Sequence, residues 1–294
     1  MLGSSISMES VTLLDDAPVN AETAKGITSN WAYDHAADID AHIRDPFESI
    51  LIGQYDPGGH WGGFSTQATA QNRFIAIPFN VSRNRTYDFA AISIGTAVAN
   101  YVTGTAAFTN GSAAVVGTDT TFASTHVGAR IKNNTDAVWH VIASVEDATH
   151  LTLTANYSST GGAAAAYTIN HRARLGIYAD GGAVLPTTLI EDWGEIGLET
   201  TSIIQVDITD RSLTKGLYWL VVHSQAAATF KTWTVGSYSP IGLRNSGSAG
   251  LIAFEGGYYT DARSYQALPA AAPAFSALAS LHAPVIALRV KSND

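Results

Sequence analysis

Hydrophobic and polar positions are patterned most clearly from Arg172 to Val222, RARLGIYADGGAVLPTTLIEDWGEIGLETTSIIQVDITDRSLTKGLYWLVV. Four short apolar runs lie in it: Arg174 to Ala179, Thr188 to Asp192, Ile203 to Ile208 and Gly216 to Val222. Each is bounded by Gly, Pro, Asp or Ser-Thr punctuation, which is the pattern of strands in an antiparallel sheet. Ile204, Val206 and Ile208 alternate with Gln205 and Asp207, so that strand has one dry and one wet face. From Leu217 to Val222 the alternation disappears into a continuous apolar run, which predicts a strand covered on both faces. The fold class expected is mainly β, a jelly-roll-like antiparallel sandwich.

The remaining chain divides by the same pattern. Residues 1 to 27 hold one short apolar patch, Val11 to Leu14, among polar residues, and predict an extended arm that orders on a partner. A helix is predicted from Thr28, with Ser29 as its cap, Trp31, His35, Ile39 and Ile43 on one stripe, and Asp45-Pro46 as its stop. Such a stripe must pack on the sandwich or on copies of itself. Strand signals begin at Phe47, with Ile50 to Ile52, Arg73 to Phe79 and Tyr87 to Gly95. Between residues 104 and 168 the sequence turns to Ala, Thr, Gly and Asn with very short strands: Thr105 to Phe108, Ala113 to Val116, Ala129 to Lys132, Ala137 to Val145 and Leu151 to Leu153. Its small core is expected from Val138, His140, Ile142, Leu151 and Leu153. About 65 residues is near the lower limit for an independent domain, and an insertion into one loop is the simplest account. The expected organisation is an arm and helix over 1–46, a discontinuous sandwich over 47–103 and 169–294, and an inserted small β domain over 104–168.

Composition narrows the function. Of the 294 residues 46% are hydrophobic and only 14% charged, against a usual quarter, which suits a β-rich protein placed inside an assembly. A formal net charge of −9 argues against a nucleic-acid groove, since phosphate recognition needs a basic field. The absence of cysteine excludes disulfides and thiolate metal sites. The start, MLGSSISMESVTLLDD, lacks the basic and apolar regions of a secretory signal, and no apolar run is long enough to span a bilayer as a helix.

The order RLGIYADGG, then LIEDWGEI, then VDIT, then KGLYWLVV resembles a β-sandwich module of tail, fibre and other virion proteins of tailed bacteriophages. LPAAAPAFSALASLHAPVIALRV is similar to the closing segment of that module, and DDAPVNAETAKGITSNWAYDHAADIDAH to a segment that precedes it in phage fibres. GTAAFTNGSAAVVGTDTTFASTHVGARIK with WHVIASVEDATHLTLTANYSSTGGAAAAYTI resembles a small β module carried by phage structural proteins. The resemblance implies a virion location, attachment to other virion proteins through the N-terminal arm, and a homotrimer packed about a three-fold axis on Trp31, His35, Ile39 and Ile43.

Candidate chemistry is sparse. Trp61 and Phe64 in the Gly-rich loop DPGGHWGGF, and Trp233, Tyr238, Tyr258, Tyr259 and Tyr265 near Gly and Ser, are rings of the kind that stack on sugars or fill a sandwich and its subunit seam. Trp61, Trp233, Tyr238, Tyr258 and Tyr259 are the ligand candidates, and a host-surface glycan is the partner they would serve. Asp34, His35, Asp38, Asp40 and His42 spread around the predicted helix, as a solvated acidic face does, and no metal or other cofactor is expected. No nucleophile elbow, zinc helix or phosphate loop is present. Glu191, Asp192, Glu195 and Glu199 beside Trp193 are the nearest approach to a glycosidase carboxylate pair, but strand alternation sends neighbours to opposite faces, and no enzyme is expected. The readings carried forward are a fibre or spike protein that contributes to adsorption, and a head-decoration or connector protein that binds other virion proteins only.

Overall fold

The structure is a computed structural model that describes residues 50–59, 63–136, 138–182, 184–233, 243–245, 252–259, 263–274, 276–279 and 283–293. The chain divides into two units, Met1–Ser49 and Ile50–Asp294, and the description concerns the second. The predicted arm and helix, with Trp31, His35, Ile39 and Ile43 and the acidic and histidine residues from Asp34 to His42, lie outside the described residues.

In chain order the strands are β1 (Tyr55–Asp56), β2 (Phe64–Ala68), β3 (Arg73–Val81), β4 (Arg85–Thr96), β5 (Thr105–Phe108), β6 (Ala114–Thr118) and β7 (Arg130–Asn133). Next come β8 (His140–Val145), β9 (His150–Leu153), β10 (Gly162–Ala165), β11 (Tyr167–Asn170), β12 (Arg172–Asp180) and β13 (Pro186–Gly197). The chain continues with β14 (Ile203–Leu213), β15 (Gly216–Ser224), β16 (Thr229–Trp233), β17 (Leu243–Asn245), β18 (Ile252–Tyr259), β19 (Ser276–Ala279) and β20 (Ile286–Asn293).

Two of the three sheets face each other as a jelly-roll-like sandwich. One runs β1-β20-β4-β16-β2, with β14 also on β4; the other runs β13-β12-β15-β3-β18-β17, with β19 on β18. Their inner faces share a core that includes Ile77, Phe79, Ile92, Leu175, Ile177, Leu220, Val222, Phe230 and Leu288. In β15, Leu220 and Val222 point into this core, while Trp219 and Val221 join Phe74, Ala76, Tyr178 and Leu268 in a second cluster on the outer face. The apolar run is thus a strand covered on both faces, its outer cover being the segment that contains Leu268. In β14, Ile208 is buried and Ile204 and Val206 half-buried, while Gln205 and Asp207 are exposed, as the alternation predicts.

The four runs of Arg172–Val222 do not share one sheet. Three of them, β12, β13 and β15, are neighbours, but β14 crosses to pair with β4 from Ile203↔Ser93 to Leu213↔Arg85. Its dry face points into the common core from the opposite layer, so the same period of two is satisfied with a different partner.

Strands β5 to β11 pair only with one another among the described strands, in the order β10-β5-β6-β9-β8-β7-β11. Residues 162–170 form a bent ribbon whose first half pairs with β5 and whose second half pairs with β7, so the sheet curls toward a half-barrel. The base is closed where Tyr101 and Ile169 exchange backbone hydrogen bonds of 3.0 and 2.9 Å. Ile142, Leu151 and Leu153 enter its core as expected, beside Phe108, Phe122, Tyr157 and Tyr167. Val138 does not: it precedes β8 in the turn and is 38% exposed, and His140 is half-buried at the strand's start. Ile142→Ala is therefore expected to cost about 2–5 kcal/mol in urea unfolding, whereas Val138→Ala stays within about 0.5 kcal/mol.

Candidate functional site

The acidic row on β13 is occupied by arginines. Arg211 donates to Glu191 at 2.8 Å through Nε and lies at 2.7 Å through Nη2. Asp192 accepts from Arg174 Nη1 at 2.9 Å and from the backbone N–H groups of Gly194 at 2.9 Å and Leu268 at 3.1 Å. Glu195 meets Arg130 of β7 in a short contact, with Arg172 at 3.3 Å and Arg174 at 3.4 Å. Trp193, their neighbour, is in the sandwich core at 9% exposure rather than beside a cleft. Glu191, Asp192 and Glu195 fix strands through these contacts, Asp192 and Glu195 sharing the Arg174 guanidinium, and Glu195 joins the small sheet to the sandwich through Arg130.

Beside that contact lies a buried polar joint. The short 3-10 turn Ser124–His126 of the small sheet sits against Gln225, which follows β15. Gln225 Nε2 donates to the carbonyls of Thr125 and Val127, both at 2.8 Å, and Gln71 Nε2 donates to Thr125 at 3.0 Å. With its amide nitrogen so used, Gln225 Oε1 accepts from His171 Nδ1 at 2.9 Å. Gln225, His171 and His126 are 0%, 7% and 6% exposed. The His126 ring packs on Tyr101 at 4.7 Å and on His171 at 5.9 Å between centroids. Burial, and then the neighbouring His171, push His126 down to about 4. Gly128 closes the turn at φ +81°, and a Cβ there would press on Tyr265 at 3.2 Å and Gln225 at 3.4 Å. The Tyr265 phenol is raised above its usual value by burial and by Glu195.

The aromatic candidates separate. Trp233 is 6% exposed in β16, and its ring packs 4.8 Å from that of Phe64, which is 63% exposed on β2, the last strand of its sheet. Phe64 is thus the ring presented to water at this edge, and Trp233 supports it from within. Tyr258 and Tyr259 lie in β18, in register with Ala76 and Ile75 of β3. Trp61 and Tyr238 lie outside the described residues. An open groove of about 280 Å³ is lined by Asn133, Thr135, Asp136, Thr160 and the small residues 161–165. Among the described residues no group of three His, Asp or Glu is placed to hold a metal ion, and no helix is long and apolar enough to cross a membrane.

Sequence reasoning found the acids and the Trp233 ring but not their partners. Arg130 is 65 residues from Glu195, and Gln225 is 100 from Thr125. No local pattern marks either pairing.

No protein-family model matches the sequence, and no curated protein matches it. Among solved structures the chain is similar to VP17, a capsid protein of bacteriophage P23-77, at 11% identity over 62% of this chain and 91% of that one, with a TM-score of 0.12. A superposition that loose carries no argument about fold or role.

Proposed function

We propose that the chain is a structural protein of a tailed-phage virion, a homotrimeric fibre or spike component that attaches through residues 1–46 and contributes to adsorption on host-surface glycan. One observation carries the reading. The separate segments that resemble the phage module, RLGIYADGG, LIEDWGEI, VDIT, KGLYWLVV and the closing APVIALRV, form β12, β13, β14, β15 and β20 of a single sandwich. The acids nearest to a hydrolytic pair are held by arginine, which favours binding over cleavage. The exposed Phe64 on its Trp233 support is the contact offered to a sugar face, and several weak contacts of this kind gain avidity when three copies act together.

The test is retention of the labelled full chain on an array of bacterial surface polysaccharides, before and after periodate cleavage of their diols, with reducing-end release followed in parallel. Periodate-sensitive retention without release is expected. Release of sugar would replace adsorption by depolymerisation. No retention anywhere on the array would leave the second reading, a head-decoration or connector protein, which the net charge and the low fraction of charged residues suit equally well.

A further inference from the structure

The joint between the small sheet and the sandwich contains a titratable group whose neutral form the hydrogen bonds require. The backbone N–H of Ala123 donates to His126 Nδ1 at 3.3 Å, so this nitrogen is an acceptor and carries no proton. His126 is the third residue of the 3-10 turn, and its ring reaches back to the residue that opens the turn, as the acid or amide of a capping box does. A proton on Nδ1 would set two N–H groups against each other and release the turn's first amide. The carbonyls of Thr125 and Val127, by which Gln71 and Gln225 hold the small sheet, belong to that turn and the residue after it.

We propose that the Ser124–His126 turn is an acid-released latch: neutral His126 keeps the small sheet docked on Gln71 and Gln225, and its protonation lets the joint open. Two ionisable rings face His126: Tyr101, in the link between β4 and β5, and His171, which immediately precedes β12. Arg172 and Arg174 on β12, Arg130 on β7, Glu195 on β13 and Tyr265 form the charged and phenolic surround of the joint. Of these neighbours, His171 is the one whose charge acts on His126, and it disfavours a proton there. The sign follows from burial: a histidine depressed from about 6.5 to about 4 contributes its stabilisation fully above about pH 6.5 and loses it as pH falls toward 4.

Hydrogen exchange of the full chain at pH 7.5 and 4.5, corrected for intrinsic chemical rates, tests the latch. Protection at the amides of Ala123, His126, Val127 and Gly128 is expected to fall about 50- to 100-fold at pH 4.5, while β3 and β15 stay protected. In His126→Gln, where a neutral amide oxygen takes over the acceptor role, the fall should shrink to a few-fold. The His126 ring proton, followed by NMR in the unaltered chain, should titrate below pH 5. Unchanged protection in the unaltered chain, an equal fall in the variant, a fall shared with β3 and β15, or a midpoint near 6.5 would each overturn the proposal.

Discussion

Replacing Asp56 by Ala is expected to lower the free energy of unfolding by about 3–5 kcal/mol, the cost of breaking one side of a buried ion pair. Asp56 is 1% exposed and Arg85 is 0% exposed. One carboxylate oxygen accepts from Arg85 Nη1 at 2.7 Å and from the Tyr87 hydroxyl at 2.9 Å, and the other from the Gly58 N–H at 2.7 Å. Arg85 Nε also reaches the Asn293 side chain at 3.3 Å, so the network ties β1, β4 and β20, which come from opposite ends of the described chain. Burial, and then the Asp56 charge, hold the Tyr87 phenol well above its ordinary range, so it remains a donor in alkaline solution. Gly58 is part of the same device. It has φ +64°, and a Cβ would stand 2.2 Å from the Phe79 ring, so only glycine brings its N–H to the carboxylate. Urea unfolding followed by tryptophan fluorescence reads the effect. The double variant Asp56→Leu/Arg85→Met should recover part of the loss, because an apolar pair leaves no buried charge unmatched while the Tyr87 hydroxyl and the Gly58 N–H still lose their acceptor. Asp210→Ala, which removes the exposed partner of Lys291, should leave the urea midpoint essentially unchanged.

Trp219→Ala is expected to cost about 3–5 kcal/mol and to loosen one side of the sandwich selectively. Trp219 is fully buried on the outer face of β15 and donates from Nε1 to Asp180 Oδ1 at 2.9 Å. It packs with Phe74, Tyr178, Val221 and Leu268 beneath the covering segment. That segment is tied to the sheet by the Tyr178 hydroxyl on the Pro269 carbonyl at 2.7 Å and by the Leu268 amide on Asp192. Removing the indole takes the largest side chain out of the cluster that Leu268 covers. Trypsin should therefore cut after Arg263 faster in the variant at native conditions, before global unfolding. An unchanged cutting rate together with a loss under 1 kcal/mol would mean that the outer face is not a core.

These two sites show how unevenly the sequence discloses the structure. The lack of alternation from Leu217 to Val222 already says that β15 is buried on both faces, since each residue parity then needs its own apolar cover. The alternation at Ile204, Val206 and Ile208 says which side of β14 is dry. It does not say which strand lies alongside, because a period of two is satisfied equally in either layer of a sandwich, and β14 lies in the layer opposite β12, β13 and β15. Polar partners are less legible still. Glu195 looks like a surface acid until Arg130, Arg172 and Arg174 converge on it, and Asp56 looks like the opening of the turn DPGG until Arg85 and Tyr87 reach it. Trp233 has polar neighbours in sequence, which suggests a surface ring. Thr232 beside it is itself only 1% exposed, so polarity along this strand does not mark the wet face.

Assembly through residues 1–46 is tested most directly by light scattering on the full chain and on a chain beginning at Phe47. A full chain of three copies, with the shorter chain falling to a single copy of the sandwich, is the predicted result. Single copies of both, or three copies of both, would contradict a trimer built on Trp31, His35, Ile39 and Ile43.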